Sequence, residues 1–241
     1  MKALKRLTIA LFVALACISA HAASPVDDQK TVAILGDSYS TFIRYIPQGY
    51  ACWYHAHTEG NDVHSVEQTW WSQLVEKTGM RLILNSSYSG STICNHGYRG
   101  EDYSDRSYIT RMKTDFVRED GSFGIVCEAP DVLLIFGGTN DDWCGAEMGE
   151  PVRKEDLGGA DMYKCLPASS YMLSYLTEKL PQTRIIVIVN SDLSEKFTNG
   201  IQEVSKMYGV ESLLLEGIDK QRNHPSALGM SQICEQVMKI L

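Results

Sequence analysis

A serine, a glycine, an asparagine and a histidine stand at positions in this 241-residue chain where they could together perform acyl transfer. Ser38, Gly90 and Asn140 each follow an apolar run, and His224 precedes the last amphipathic stretch. Acyl transfer by a serine requires a base for the hydroxyl proton and donors directed at the developing oxyanion. Each residue taken singly also has a structural explanation as a helix cap or a turn residue.

The elements that must position these residues follow an alternating pattern. Five nearly continuous runs of Leu and β-branched residues predict strands buried on both faces of a parallel sheet: Thr31–Gly36, Arg81–Asn85, Asp131–Phe136, Arg184–Asn190 and Glu211–Leu215. Helical patterns separate or follow them at Ser65–Lys77, Ala168–Lys179, Asp192–Tyr208 and Ser226–Leu241. This alternation predicts one α/β domain built as a three-layer α/β/α sandwich.

Two segments, Ser91–Pro130 and Asp142–Pro167, are longer than ordinary connections between a strand and a helix. Long structured loops on an α/β domain usually build the ligand site. In open parallel sheets such sites lie outside the carboxyl ends of the strands. The four candidate residues are therefore expected at that edge of the sheet.

The chain resembles the SGNH hydrolases, also called GDSL esterases, through four blocks in the order of that family. Gly36-Asp37-Ser38 matches the first block, Gly90 the second, Gly138-Thr139-Asn140-Asp141 the third and His224 the last. The resemblance extends from about residue 31 to the C-terminus. It implies a flavodoxin-like five-stranded sheet of order 2-1-3-4-5 and an esterase that uses no metal or organic cofactor.

The resemblance also implies a role for each matching residue. Ser38 would be the nucleophile and His224 the general base. The backbone N–H groups of Ser38 and Gly90 and the side-chain amide of Asn140 would form the oxyanion hole.

One position departs from the family pattern. The family usually has an aspartate three residues before the histidine, and here that position is Gln221. Two alternatives follow. Either Asp219, five residues before His224, reaches the imidazole and completes a triad, or a backbone carbonyl orients the imidazole and the site is a dyad.

Aromatic residues lie near the candidate site in the sequence. Tyr39 follows the serine, Trp53 lies in the next loop and Trp143 follows Asn140. Their flat faces could stack on sugar rings and bind a carbohydrate substrate, or they could pack the long loops.

A cluster of His55, His57, Asp62 and His64 offers the ligand types that zinc prefers. The segment shows no strand pattern that would turn two of these rings to one side. We therefore expect no metal here and interpret the cluster as a polar pocket wall or as surface.

The N-terminus predicts a secretory signal peptide over residues 1–22. Lys2, Lys5 and Arg6 precede an apolar run from Leu7 to Ala20, and Ala20-His21-Ala22 provides a small-x-small cleavage pattern. The run is too short for a membrane anchor, which needs about 20 apolar residues. Cys17 leaves a lipoprotein cleavage site as the alternative. Residues 23–241 form the predicted mature domain.

The charge of the chain limits its partners. The formal charge is −8, and removal of residues 1–22 leaves 19 basic and 30 acidic residues, a charge of −11. A protein this acidic lacks the basic surface that binds nucleic-acid phosphates. We expect a small-molecule or glycan ester as substrate, no nucleic-acid partner and no stable membrane insertion; the oligomeric state is left open.

Six cysteines remain in the mature chain, and an oxidising compartment permits bridges between them. If bridges form, Cys127, Cys144 and Cys165 in the loops are the favoured members. Cys234 lies beside the apolar stripe of the last helix and is predicted to be a buried thiol. The pairing does not follow from the sequence.

These observations predict a secreted or periplasmic serine esterase that hydrolyses short-chain esters, in particular O-acetyl esters, on carbohydrate. A lipid esterase of the lysophospholipase or thioesterase type is the enzymatic alternative; it would need a long apolar channel, and the two long segments are rich in polar residues. Gln221 keeps a third alternative open, a non-catalytic glycan-binding member of the fold.

Overall fold

A parallel five-stranded sheet forms the centre of the computed structural model, which describes residues 29–241. Its strands are β1 (Thr31–Gly36), β2 (Arg81–Ser87), β3 (Val132–Phe136), β4 (Arg184–Val189) and β5 (Glu211–Leu214). They are arranged in the order β2-β1-β3-β4-β5, and every neighbouring pair is parallel. The predicted fold class and strand order are confirmed. The predicted signal peptide and Cys17 lie outside the described residues.

Helices cover both faces of the sheet, and they begin and end as follows: α1 (Trp70–Thr78), α2 (Tyr108–Arg111), α3 (Thr139–Cys144), α4 (Cys165–Lys179), α5 (Glu195–Met207) and α6 (Ala227–Met238). Side chains alternate along each strand, so Ala33 and Leu35 of β1 pack under α2, α4 and α5, whereas Val32 and Ile34 pack under α1 and α6. The result is the expected three layers.

The connections that follow β2 and β3 contain short helices that the sequence did not reveal. α2 continues into a π-helical turn, Met112–Phe116. α3 begins at Thr139, directly after the Gly137-Gly138 pair that follows β3. Both are too short for a hydrophobic period to be recognised. The predicted helix over Ser65–Lys77 is shorter than expected, because a capping box makes residues 66–68 a separate 3-10 turn and Thr69 then caps α1.

The last connection contains a small hairpin of two-residue strands, β6 (Lys220–Gln221) and β7 (His224–Pro225), directly before α6. Within residues 29–241, no helix combines the length and the apolar character needed to span a bilayer.

The six cysteines among the described residues are free thiols. Cys94, Cys165 and Cys234 are buried, which confirms the prediction for Cys234. Cys127 is exposed and Cys144 is half-buried, and neither forms the bridge considered from the sequence.

Candidate active site

Ser38 lies directly beyond the carboxyl end of β1, at the start of a one-turn 3-10 helix. The Asp37 carboxylate accepts a hydrogen bond of 3.0 Å from the Tyr39 N–H, which stabilises the start of this turn. Gly36 permits the close approach of β1 and β2, because a Cβ there would lie 2.4 Å from the Oγ of Ser87. The serine is thereby held at the edge of the sheet, with 5% of its surface exposed.

His224 is presented by the hairpin turn between β6 and β7. Its two turn residues, Arg222 and Asn223, have φ of 52° and 62°, as in a type I′ turn. The Tyr39 hydroxyl donates a hydrogen bond of 2.5 Å to the Asn223 carbonyl and holds the hairpin turn against the 3-10 turn of Ser38. As a result, the Nε2 of His224 lies 3.0 Å from the Oγ of Ser38.

The environment of the imidazole keeps it neutral. Burial lowers the pKa of His224 to about 4, the positive charge of Lys220 acts in the same direction, and the hydrogen bond to the Arg222 carbonyl opposes both. At neutral pH the ring can accept the Ser38 proton at Nε2 while its Nδ1–H donates to the Arg222 carbonyl, at 3.1 Å. A general base must be unprotonated at its working pH, and a neutral imidazole meets this requirement.

Asp219 directly precedes β6, and its carboxylate is hydrogen-bonded to a residue other than His224. Its carboxylate accepts a hydrogen bond from the hydroxyl of Ser226, which in turn caps the N-terminus of α6. Gln221 accepts a hydrogen bond of 2.9 Å from the Asp62 N–H and ties the hairpin to the loop before α1. Of the two alternatives left by the sequence, the geometry favours orientation of His224 by a backbone carbonyl.

Two of the three proposed oxyanion donors lie beyond the ends of the strands adjacent to β1, and the third, the Ser38 N–H, lies beyond β1 itself. Gly90 follows β2 with a φ of 82°, a left-handed conformation that favours glycine. Asn140 lies in the first turn of α3, beyond β3, and is 4% exposed. The N–H of Ser38 opens a 3-10 turn, where no intrahelical carbonyl can accept it. The fold therefore places the three candidate donors at one edge of the sheet.

Sequence reasoning missed Tyr98, which fixes the orientation of the Asn140 amide. The Tyr98 hydroxyl donates to Oδ1 of Asn140 at 2.9 Å, and Nδ2 donates to the Ser91 carbonyl at 2.9 Å. An amide nitrogen carries two hydrogens, so one remains for a ligand. Tyr98 lies in the long segment after β2, where no pattern marks it.

A buried arginine, Arg111, was also missed by sequence reasoning, and it connects the segments that carry Ser38 and Gly90. Arg111 uses all five of its N–H donors: they bind the carbonyls of Gly36, Ser86 and Arg106 and the hydroxyls of Ser86 and Ser91. These partners include the end of β1 and the loop of Gly90. Burial raises the pKa of nearby Asp37 to about 7, and the charge of Arg111 acts against this rise.

The three aromatic residues proposed from the sequence have different surroundings. Tyr39 is fully buried, so a sugar cannot stack on it, and its hydroxyl supports the hairpin instead. Trp53 is half-buried and stacks on the imidazole of His224. Trp143 is 41% exposed, and its ring centroid lies 6.5 Å from that of His224. Among these three rings, Trp143 offers the largest surface to a ligand beside the imidazole.

The histidine cluster forms part of a cavity wall. His55, His57 and His64 line a cavity of about 520 Å³ together with Phe42, Ile43, Arg44, Tyr45, Ala56, Ser65 and Val66. Asp62 is separate from this wall, since its carboxylate accepts a hydrogen bond of 2.7 Å from the Ala227 N–H at the start of α6. Within residues 29–241, no group of three or more His, Cys, Asp or Glu side chains is arranged to hold a metal ion.

The structure thus brings a serine and a histidine into contact at the carboxyl edge of a parallel sheet of order β2-β1-β3-β4-β5. The family model described as GDSL-like lipase/acylhydrolase matches residues 30–241. The chain therefore belongs to the GDSL-like lipase/acylhydrolase family and is an ester-hydrolysing enzyme.

Solved structures give the same result. A GDSL-like lipase structure from Bacteroides uniformis has 42% identity and a TM-score of 0.76, covering 88% of this chain and 95% of that one. One from Bacteroides ovatus has 38% identity and a TM-score of 0.78, covering 88% and 97%. An acetyl xylan esterase from the rumen bacterium Butyrivibrio proteoclasticus shares the fold, with 17% identity, a TM-score of 0.57 and coverage of 90% and 64%. Among curated proteins, no relative matches.

Proposed function

We propose that this chain is a secreted or periplasmic serine esterase that removes short acyl groups, in particular acetyl, from carbohydrate through a Ser38–His224 dyad. The observation that carries the mechanism is the 3.0 Å contact between Ser38 Oγ and a neutral, buried imidazole. Secretion rests on the signal-peptide pattern of residues 1–22 alone.

The proposed mechanism has two halves. As Ser38 Oγ attacks the ester carbonyl carbon, its proton passes to Nε2 of His224, and the oxyanion receives hydrogen bonds from the N–H groups of Ser38 and Gly90 and from the Asn140 amide. His224 then returns the proton to the departing alcohol oxygen. A water molecule, deprotonated by the same imidazole, then attacks the acyl carbon. The bond from this carbon to Ser38 Oγ breaks, His224 returns the proton to Oγ, and the acid leaves.

The exposed ring of Trp143 supports the carbohydrate part of the proposal. An apolar sugar face can stack on an aromatic ring, and this ring lies beside the imidazole rather than across the molecule. The acidic charge of the chain is compatible with a neutral glycan. The shared fold of the Butyrivibrio acetyl xylan esterase points in the same direction.

One observation favours a second candidate, a lipid esterase. The cavity lined by the three histidines also has apolar lining residues, among them Phe42, Ile43 and Val66. Phe42 lies four positions after Ser38, so their Cα atoms are at most about 14 Å apart, a distance that a long acyl chain on the serine could span.

A series of p-nitrophenyl esters with increasing acyl length distinguishes the two candidates. For a deacetylase, kcat/KM is expected to be highest for acetate and to fall steadily with chain length. A maximum at eight carbons or more would support the lipid alternative. Release of acetate from acetylated xylan, compared with the same polymer after chemical deacetylation, then tests the carbohydrate. Absence of turnover for every ester would contradict the proposed function.

A dyad predicts a mild effect for Asp219→Ala. Because the Asp219 carboxylate binds Ser226 rather than the imidazole, kcat/KM should stay within a few-fold of wild type. Loss of its hydrogen bond to the α6 cap should cost about 1 kcal/mol, a fall in Tm of roughly 2–4 °C for a chain of this size.

His224→Ala, measured in parallel, provides the contrast and should lose most activity. If Asp219→Ala instead lowered kcat by a factor approaching that of His224→Ala at unchanged stability, Asp219 would act as the third member of a triad.

A further inference from the structure

One face of the His224 imidazole is covered by the indole of Trp53. The two ring centroids lie 3.7 Å apart and the planes differ by 7°, a parallel stack. The rings of Tyr39, Tyr54 and Trp143 also surround the imidazole, at 5.3, 6.2 and 6.5 Å, but tilted or edge-on. Trp53 is thus the ring that presents its π face to the imidazole.

The backbone of Trp53 is connected to the nucleophile through a single hydroxyl. The Trp53 N–H donates to Oγ1 of Thr41 at 2.9 Å, and the same hydroxyl donates to the Ser38 carbonyl at 3.0 Å. The loop that carries the indole and the turn that carries the serine therefore share Thr41 as a fixed point. The stack consequently orients the imidazole plane relative to Ser38.

The hydrogen bonds of the imidazole stabilise only in part the positive charge that it gains during the reaction. When Ser38 loses its proton, His224 becomes an imidazolium, which a carboxylate stabilises in a triad. Here its Nδ1 faces the carbonyl of Arg222, a dipole without net charge. The π face of an indole attracts a cation more strongly than that of any other side chain. Because a neutral imidazole gains less from this face than an imidazolium, the stack favours the transition state over the ground state.

We infer that Trp53 is a positioning residue of this esterase: its indole holds the His224 ring in the plane required for proton transfer and stabilises the imidazolium in place of a carboxylate. The inference rests on the proposed Ser38–His224 mechanism. The proton leaves Ser38 Oγ for Nε2 as the bond from Oγ to the acyl carbon forms, and it leaves Nε2 with the departing alcohol. Trp53 is chemically unchanged throughout.

The test compares Trp53→Phe and Trp53→Leu with p-nitrophenyl acetate, a substrate without a sugar for the indole to contact. We expect kcat to fall in the order Trp, Phe, Leu, because Phe keeps a weaker π face and Leu keeps only apolar volume. The Leu variant should lose roughly 10- to 30-fold in kcat, the range of a desolvated cation–π contact, with KM within about two-fold of wild type. Thermal unfolding of each variant reports whether the fold is retained.

Two results would overturn the inference. One is a folded Trp53→Leu variant with a kcat within two-fold of wild type. The other is a rise in KM at unchanged kcat in either variant, which would make Trp53 a substrate contact. Should the Leu variant not fold, the Phe variant decides: a kcat reduced a few-fold at unchanged KM supports the inference, and an unchanged kcat rejects it.

Ser38→Ala in the same assay separates this inference from the function on which it rests. If Ser38→Ala keeps full activity, the Ser38–His224 mechanism itself is wrong. If Ser38→Ala is inactive while Trp53→Leu equals wild type, the mechanism stands and the role of Trp53 alone is rejected.

Discussion

Ser38→Ala is expected to lower kcat/KM for p-nitrophenyl acetate by on the order of 10⁴- to 10⁶-fold, the loss seen when the nucleophile of a serine hydrolase is removed. His224 would keep its place in the hairpin but have no hydroxyl proton to accept. The fold should remain intact, because the Ser38 hydroxyl makes its side-chain hydrogen bond to His224 and leaves the support of the turn to Asp37. Residual activity would come from the oxyanion donors.

Ser40→Ala is the matched control, since it removes a hydroxyl from the same turn. Ser40 Oγ accepts a hydrogen bond of 3.2 Å from the indole N–H of Trp70, and its loss should cost about 1 kcal/mol of stability and leave kcat/KM within a few-fold of wild type. Covalent labelling by a fluorophosphonate gives a second measurement, with Ser38→Ala unlabelled and Ser40→Ala labelled. Equal hydrolysis by Ser38→Ala and wild type would eliminate Ser38 as the nucleophile.

The second large effect concerns stability. Arg111→Met is expected to lower the free energy of unfolding by about 3–5 kcal/mol, the cost of removing one member of a buried charged network. Methionine fills a similar volume but removes the guanidinium donors from the carbonyl and hydroxyl of Ser86, and it leaves the Gly36 carbonyl with only the Tyr88 N–H, at 3.1 Å. It also leaves the buried carboxylate of Asp115 without the positive charge of the guanidinium. The free energy of unfolding of Arg111→Lys should lie between those of wild type and Arg111→Met, since an ammonium keeps the charge but has three donors for five acceptors.

Denaturant unfolding measures this difference, and Arg153→Met is the control. Arg153 is exposed, so its replacement should change the free energy of unfolding by no more than about 0.5 kcal/mol. Equal midpoints for Arg111→Met and Arg153→Met would show that the buried guanidinium contributes no net stability.

Much of the fold could be predicted from local sequence. The runs that form β1, β3 and β4 are buried on both faces, as in strands that helices cover on both sides. These strands and the edge strands β2 and β5 lie within a few residues of the predicted positions. α2 and α3 could not be predicted in the same way. α2 buries Arg111, which a pattern of apolar residues cannot signal, and α3 is shorter than two turns.

The candidate site, too, could be predicted only in part from the sequence. Short motifs next to strand ends were sufficient to nominate Ser38, Gly90, Asn140 and His224, because each depends on its own strand or turn. The contacts that would make them work join distant segments: the Ser38–His224 hydrogen bond spans 186 positions of the chain and the Tyr98–Asn140 bond spans 42. No local pattern encodes such a distance.

The sequence by itself determined the class of fold, the family and the residues nominated for chemistry, since local hydrophobic patterns and glycine-bounded turns carry that information. Only the tertiary structure shows what surrounds His224: the Arg222 carbonyl lies at Nδ1, where Asp219 was considered, and the indole of Trp53 stacks on the imidazole. It also shows that Tyr39 is buried and supports the β6–β7 hairpin, whereas Trp143 is exposed beside His224. These outcomes depend on packing between segments, where burial and contact distance are set by the whole domain rather than by neighbouring residues.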